Sequence, residues 1–236
     1  MKYRTQIAAA AALTVAATAP GFVLAEDSPP PPYLMTDANT VTIAVTWDAD
    51  SLDGILPEGV MPAEDLSGGL NVYDADGGYG LTPYSAAYAY VNVKGWNSSS
   101  NAPARFIIGG WYGPDPKVSR AMRTHFNADV KTGDASQSAD NESWIGTGGD
   151  DAGTITLVVK PSGDCIAAGG TLNYVGDPGG GEGYELMQIP FVGNYCPAEP
   201  VSVDISGPEG SALAQVKVDK MLAGGQLRDG TFAFAD

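Results

Sequence analysis

The sequence predicts a mostly β (α+β) fold, one large antiparallel β-barrel with a few flanking helices. Three observations carry this. Short alternating segments rich in β-branched and aromatic residues recur along the chain. The 31 glycines and 17 prolines supply turns between them, and only 17% of residues are charged. A full set of helix signals occurs in one segment alone, Asp115 to Phe126. A two-sheet sandwich satisfies the same strand pattern and remains the alternative.

Residues 1–25 read as a secretory signal peptide. Lys2 and Arg4 precede an apolar run from Ile7 to Ala19, and Val23-Leu24-Ala25 forms a cleavage site before Glu26-Asp27. Pro20-Gly21 interrupts the run short of the about 20 residues that a bilayer span needs. The expectation is a secreted or periplasmic protein with no membrane association after cleavage. Residues 26–38, with Pro29 to Pro32, read as a stiff extended lead-in, and 39–236 as a single domain.

The formal charge is −16, and removing Lys2 and Arg4 takes it to −18. Such a surface repels nucleic acid and anionic lipid, which excludes both as partners. It also repels a small anionic ligand at long range. An exported chain with two cysteines, Cys165 and Cys196, is expected to join them, with two free buried thiols as the alternative. The bond would close a loop of about 30 residues and contribute roughly 3 kcal/mol. No metal site is expected, because there is no further thiol and His125 is the only imidazole.

The elements follow in order. Thr40 to Trp47 alternates and is β-branched, a strand. Asp50 to Gly59 reads as one short helix, capped by Asp50 and ended by Pro57. "GLNVYDA" and "YSAAYAYVNVKGW" are strands, and Tyr84, Ala86, Tyr88, Tyr90 and Asn92 share one face. "ARFIIGGWYG" is a strand whose Gly109-Gly110 pair marks a bulge or a close backbone approach. In "DPKVSRAMRTHF" Asp115 is the cap and Pro116 takes the first turn. Val118, Ala121, Met122, His125 and Phe126 form the buried side, and Asn127 stops the helix. Eight further strand-like runs follow, including "SALAQVKVD" and "GTFAFAD". The acid-and-glycine stretches Asp74 to Gly80 and Gly146 to Gly153 read as hairpin turns, since neither has the spacing of a calcium loop.

In this order the segments resemble the acetoacetate decarboxylase family over most of the chain. "WDADSLDGILPEGVMP" is similar to the family's early strand and short helix with its Leu-Pro-x-Gly turn. "PYSAAYAYVNVKG" resembles its Pro-Tyr-x-Glu strand. "RFIIGGWYGPDPKVSRAMRTHFNADVKTG" resembles the strand and helix that lead to its Gly-Arg-Glu…Pro-Lys-Lys segment. "SALAQVKVDKMLAGGQLRDGTFAFAD" is similar to its closing strands. The resemblance implies a cone-shaped antiparallel barrel around a buried cavity, self-assembly into homo-oligomers, and cofactor-free decarboxylation of a β-keto acid through a lysine iminium. The attacking amine must be neutral, which burial and an adjacent cation achieve.

The resemblance places the catalytic candidates at Lys131 and Arg123. If Arg123 matches the family's arginine, the paired lysines fall at Val130 and Lys131. A slip of one residue instead puts Lys131 in the nucleophile's place, followed by Thr132. Both registers break the lysine pair, the strand glutamate falls on Ala86, and no arginine lies between Arg4 and Arg105. A solvated strand lysine is the other reading of Lys131. His125 reads either as a general base or as a packed histidine. Tyr84, Tyr88, Trp111 and Tyr112 read either as the wall of a small-molecule pocket or as barrel core. Two functions follow: a lyase of the acetoacetate decarboxylase type, or a non-catalytic barrel that binds a small organic molecule.

Overall fold

Alternation in the first strand separates two cores. β1 (Tyr33–Trp47) buries Val41, Ile43, Val45 and Trp47 on one side. On the other it buries Tyr33, Met35 and Ala38. The register slips around Asp37, whose φ is 55°, and this carries Tyr33, Met35, Ala38, Thr40 and Thr42 to the same side. The computed structural model describes residues 30–96, 102–140, 142–177 and 183–234; the leader, Gly179 to Gly181 and Glu182 lie outside these.

A single 3-10 turn (Asp50–Leu52) leads to β2 (Met61–Pro62), β3 (Ser67–Tyr79), β4 (Tyr84–Lys94) and β5 (Ala104–Gly113). Next come helix α1 (Pro116–Phe126), β6 (Val130–Lys131), β7 (Asp134–Ala139), β8 (Trp144–Asp150) and β9 (Gly153–Pro161). The chain continues through β10 (Ile166–Gly176), β11 (Glu185–Ile205), the one-turn helix α2 (Ala212–Gln215) and β12 (Val218–Phe234). All twelve strands belong to one sheet, in the order β10-β5-β4-β3-β1-β12-β11-β9-β8-β7, with β2 on β4 and β6 on β5. Because β10 also pairs with β11, seven strands are linked in a circuit. The long strand β11 then leaves it to pair with β9, and β8 and β7 follow. The circuit encloses the first core, and the β7–β9 extension covers the second, which holds Ile155, Leu157 and Val159.

Two glycines mark where backbones must approach. A Cβ on Gly68 would lie 2.3 Å from both the Trp47 indole nitrogen and the Tyr90 carbonyl, which are hydrogen-bonded to each other at 3.1 Å. A Cβ on Gly110 would lie 2.4 Å from the Ala87 carbonyl. Gly110 follows the expected bulge, where the β4–β5 register shifts between Ala89 and Tyr90.

Helix α1 forms as its signals dictate. The Asp115 carboxylate accepts from the Lys117 amide at 2.9 Å, and Pro116 opens the helix. Asn127 closes it in the left-handed conformation at φ 46°. Its buried side carries Val118, Ala121, Met122 and Phe126 into the first core.

Several expectations are corrected. The sheet is mixed, because β5 pairs parallel with both β10 and β6. Tyr33 to Ala38 belong to β1, paired with β3 and β12, so the extended lead-in ends before Tyr33. The helix expected over Asp50 to Gly59 is only the 3-10 turn, capped at Ala49 without a side-chain bond. Asp74 to Tyr79 continue β3, because Gly77 and Gly78 lie against β1 where side chains would clash. Ala212 to Gln215 are helical, because Ser211 caps them by accepting from the Ala214 amide.

Cys165 and Cys196 are joined across 31 residues at the outer end of the β10–β11 hairpin. Reduction, or Cys165→Ser with Cys196→Ser, is expected to lower unfolding stability by roughly 3 to 4 kcal/mol from loop entropy. Urea denaturation with and without reductant measures this. Coincident midpoints would show that the link contributes nothing.

Candidate functional site

The circuit of strands leaves a cavity of about 220 Å³ inside the first core. One wall is polar and comes from β3, β4, β5 and β10. It presents Asn71, Tyr73, Tyr88, Arg105, Tyr112 and Tyr174. The facing wall comes from α1, β11 and β12 and is mainly apolar, with Met122, Phe126, Ile189, Phe191, Phe232 and Phe234; Asn127 and Tyr195 are its polar members.

Arg105 reaches this wall because of the bulge. Along β5, simple alternation from Tyr112 would send Arg105 to the opposite face. The register shift inserts Ile108 as an extra residue, so Tyr112 and Gly110 oppose Ala86 and Tyr88 while Ile107 and Arg105 oppose Tyr90 and Asn92. Arg105 and Tyr112 therefore share the cavity side, and Ile108 is buried in the second core. The parallel pairing of β10 then sets Tyr174 directly beside Arg105.

Arg105 is half-buried, and it is the one cation lining the cavity among the described residues. No aspartate or glutamate among them lines it. The only ion pairs among those residues are Lys117–Asp115 and Lys220–Asp219, both on the surface. The guanidinium stacks over the Tyr90 ring at 4.5 Å and near the Tyr174 ring at 5.9 Å. It also hydrogen-bonds to Tyr174. Burial opposes its charge, but the phenols of Tyr90, Tyr174 and Tyr88 outweigh this and hold its pKa above the ordinary value.

The phenols form a connected cluster. Asn71 Nδ2 donates to the Tyr88 hydroxyl at 2.8 Å, and the Tyr88 and Tyr174 hydroxyls lie 2.6 Å apart. Tyr73 donates to Tyr84 at 2.9 Å, and Tyr84 donates to the Met35 sulfur. The Tyr84 and Tyr88 rings each stack against Tyr112. An arginine can only donate. With the bonds oriented from Asn71 through Tyr88, the Tyr174 oxygen accepts from both Tyr88 and Arg105. In that orientation the Tyr174 proton is left for a further acceptor.

The other sequence candidates lie elsewhere. Tyr88 and Tyr112 line the cavity, and Tyr84 is buried behind them. Trp111 points away into the second core, since it alternates with Tyr112. In β6 the Val130 side chain is 2% exposed in the cavity-side core, whereas Lys131 is exposed and lines a separate shallow depression with Trp111 and Leu213. Arg123 is exposed and donates to the Val130 carbonyl at 2.8 Å, which ties the end of α1 to β6. His125 is half-buried away from the cavity, with no hydrogen-bond partner for Nε2 among the described residues. The sequence reading missed Arg105, Tyr73, Asn71, Tyr174 and the terminal phenylalanines. The glycine pair was the signal for Arg105, since a bulge reverses strand parity.

Burial first, and neighbouring phenols second, push Tyr73, Tyr88 and Tyr112 well above the ordinary phenol pKa. The folded protein therefore keeps protons that the unfolded chain loses above about pH 10. Their contribution is fully present below that pH and is lost as the pH rises past it. In an alkaline ultraviolet titration these tyrosines are expected to ionise only together with unfolding. Reversible ionisation of every tyrosine near pH 10, with the fold intact, would contradict this.

The chain matches no protein-family model and no curated protein. Solved structures do match it. An acetoacetate decarboxylase from Legionella pneumophila superposes with a TM-score of 0.64 at 14% identity, over 88% of this chain and 86% of the other. The enduracididine biosynthesis enzyme MppR, complexed with pyruvate, gives 0.62 at 10% identity, over 87% and 89%. An acetoacetate decarboxylase-like enzyme from Sphingomonas wittichii gives 0.57 at 17% identity, over 86% and 89%. This protein therefore has the acetoacetate decarboxylase-like fold.

Proposed function

We propose that this protein binds a small organic monocarboxylate in its cavity, with Arg105 as the receiving group, and that it does not act through a lysine iminium. One observation carries the reading. The cavity's cation has no carboxylate partner among the described residues, and no amine lines the cavity beside it. The Tyr90 and Tyr174 rings and the Tyr174 hydroxyl meet this half-buried cation, but no negative charge among the described residues neutralises it. A bound carboxylate completes the arrangement by accepting two guanidinium hydrogen bonds, the strongest type available here. The Tyr174 hydroxyl supplies a third donor.

Schiff-base decarboxylation is the weaker reading. The inward position of β6 holds Val130, and Lys131 is exposed outside the cavity. Pyruvate in the MppR complex is a small keto acid, and that supports an organic acid as the ligand class on this fold. The leader-like composition of residues 1–25 and the disulfide support export.

Arg105→Gln is expected to weaken monocarboxylate binding at least tenfold, as losing a charged hydrogen bond of about 1.5 to 3 kcal/mol requires. Lys131→Ala is expected to leave the affinity unchanged. Isothermal titration calorimetry measures both. Treatment with acetoacetate and borohydride is expected to leave the intact mass unchanged, and an adduct mapped to Lys131 would overturn the proposal.

A further inference from the structure

The two walls of the cavity differ too much for the smallest keto acids to use both. We infer that the ligand is an aryl monocarboxylate of about nine or ten non-hydrogen atoms, its carboxylate on Arg105 and its ring against the Phe126, Phe191, Phe232 and Phe234 wall. This rests on the reading of Arg105 as an anion receptor and adds the body of the ligand to it.

Size comes first. A dry apolar cavity of about 150 Å³ takes a benzene molecule of six carbons. A cavity of about 220 Å³ scales to roughly nine non-hydrogen atoms, close to the size of a short aryl acid. Acetoacetate has seven and would leave apolar surface uncovered.

Chemistry comes second. β5 and β12 stand on opposite sides of the seven-strand circuit, so the cation and the phenylalanines face one another across the space. Phe191 and Phe232 stack at 5.9 Å, and Phe126 meets Phe234 edge-on at 5.7 Å. Such a wall accepts a planar ring in offset or edge-to-face contact. Met187, Ile189 and Leu227 line the cavity beside these rings and bring no hydrogen-bond donor. A second carboxylate placed against those three side chains meets no donor, and the nearby Tyr195 hydroxyl already donates to the Gly224 carbonyl, so dicarboxylates are disfavoured.

The test is a calorimetric titration of the wild-type protein with phenylacetate, its neutral amide, acetoacetate and phenylsuccinate. Arg105→Gln and Phe232→Ala are titrated with phenylacetate, after circular dichroism has confirmed that each is folded. Phenylacetate is expected to bind at least tenfold tighter than the other three compounds, and each variant is expected to lose at least tenfold. Acetoacetate binding as tightly as phenylacetate, with both dependent on Arg105, would overturn the aryl assignment and leave the anion receptor standing. The amide binding as tightly as the acid would overturn the anion receptor itself, and needs no variant. Phenylsuccinate binding as tightly as phenylacetate would overturn the monocarboxylate assignment.

Discussion

The charge of Arg105 is held inside the strand circuit by tyrosine faces and hydroxyls, and the arrangement of the site depends on that constraint. A guanidinium cannot shed its proton to escape burial. It must be met by π faces, hydroxyl oxygens, water or an anion. The bulge at Ile108, beside Gly109, turns Arg105 inward, β4 supplies the Tyr90 face, and the parallel strand β10 brings Tyr174 to it. The hydrogen-bonded line through Asn71 and Tyr88 then orients the hydroxyl that meets the guanidinium. The disulfide ties down the hairpin that carries Tyr174, Ile189 and Phe191.

The surface works against the site at long range. A chain at −16 repels an anion in solution. On the proposed function, affinity would come from inside the circuit, where Arg105 is the one cation that lines the cavity among the described residues. An apolar ligand body would contribute independently of that charge, through the phenylalanine wall. The fold is shared with acetoacetate decarboxylases, and the inward position of β6 in this chain holds Val130.

Much of the fold was legible because it follows local rules. The alternation of Tyr84, Tyr88 and Tyr90, the caps of α1 at Asp115 and Asn127, and the pairing of the two cysteines each follow from a few adjacent residues or from compartment. The site was harder to read. A period-2 reading of β5 from Tyr112 places Arg105 outside, because one extra residue reverses every side chain before it. Lys131 or Val130 as the inward residue was a question of register, settled by pairing with β5 and not by spacing from Arg123. Phe232 and Phe234 come from the last strand, and only closure of the circuit brings them opposite Arg105.

The most direct measurement is a crystal structure of the protein grown with saturating phenylacetate. The account predicts carboxylate oxygens within about 3 Å of the Arg105 guanidinium nitrogens, with the ring against Phe232. A protein carboxylate already paired to Arg105, or the ligand seated at Lys131, would contradict it.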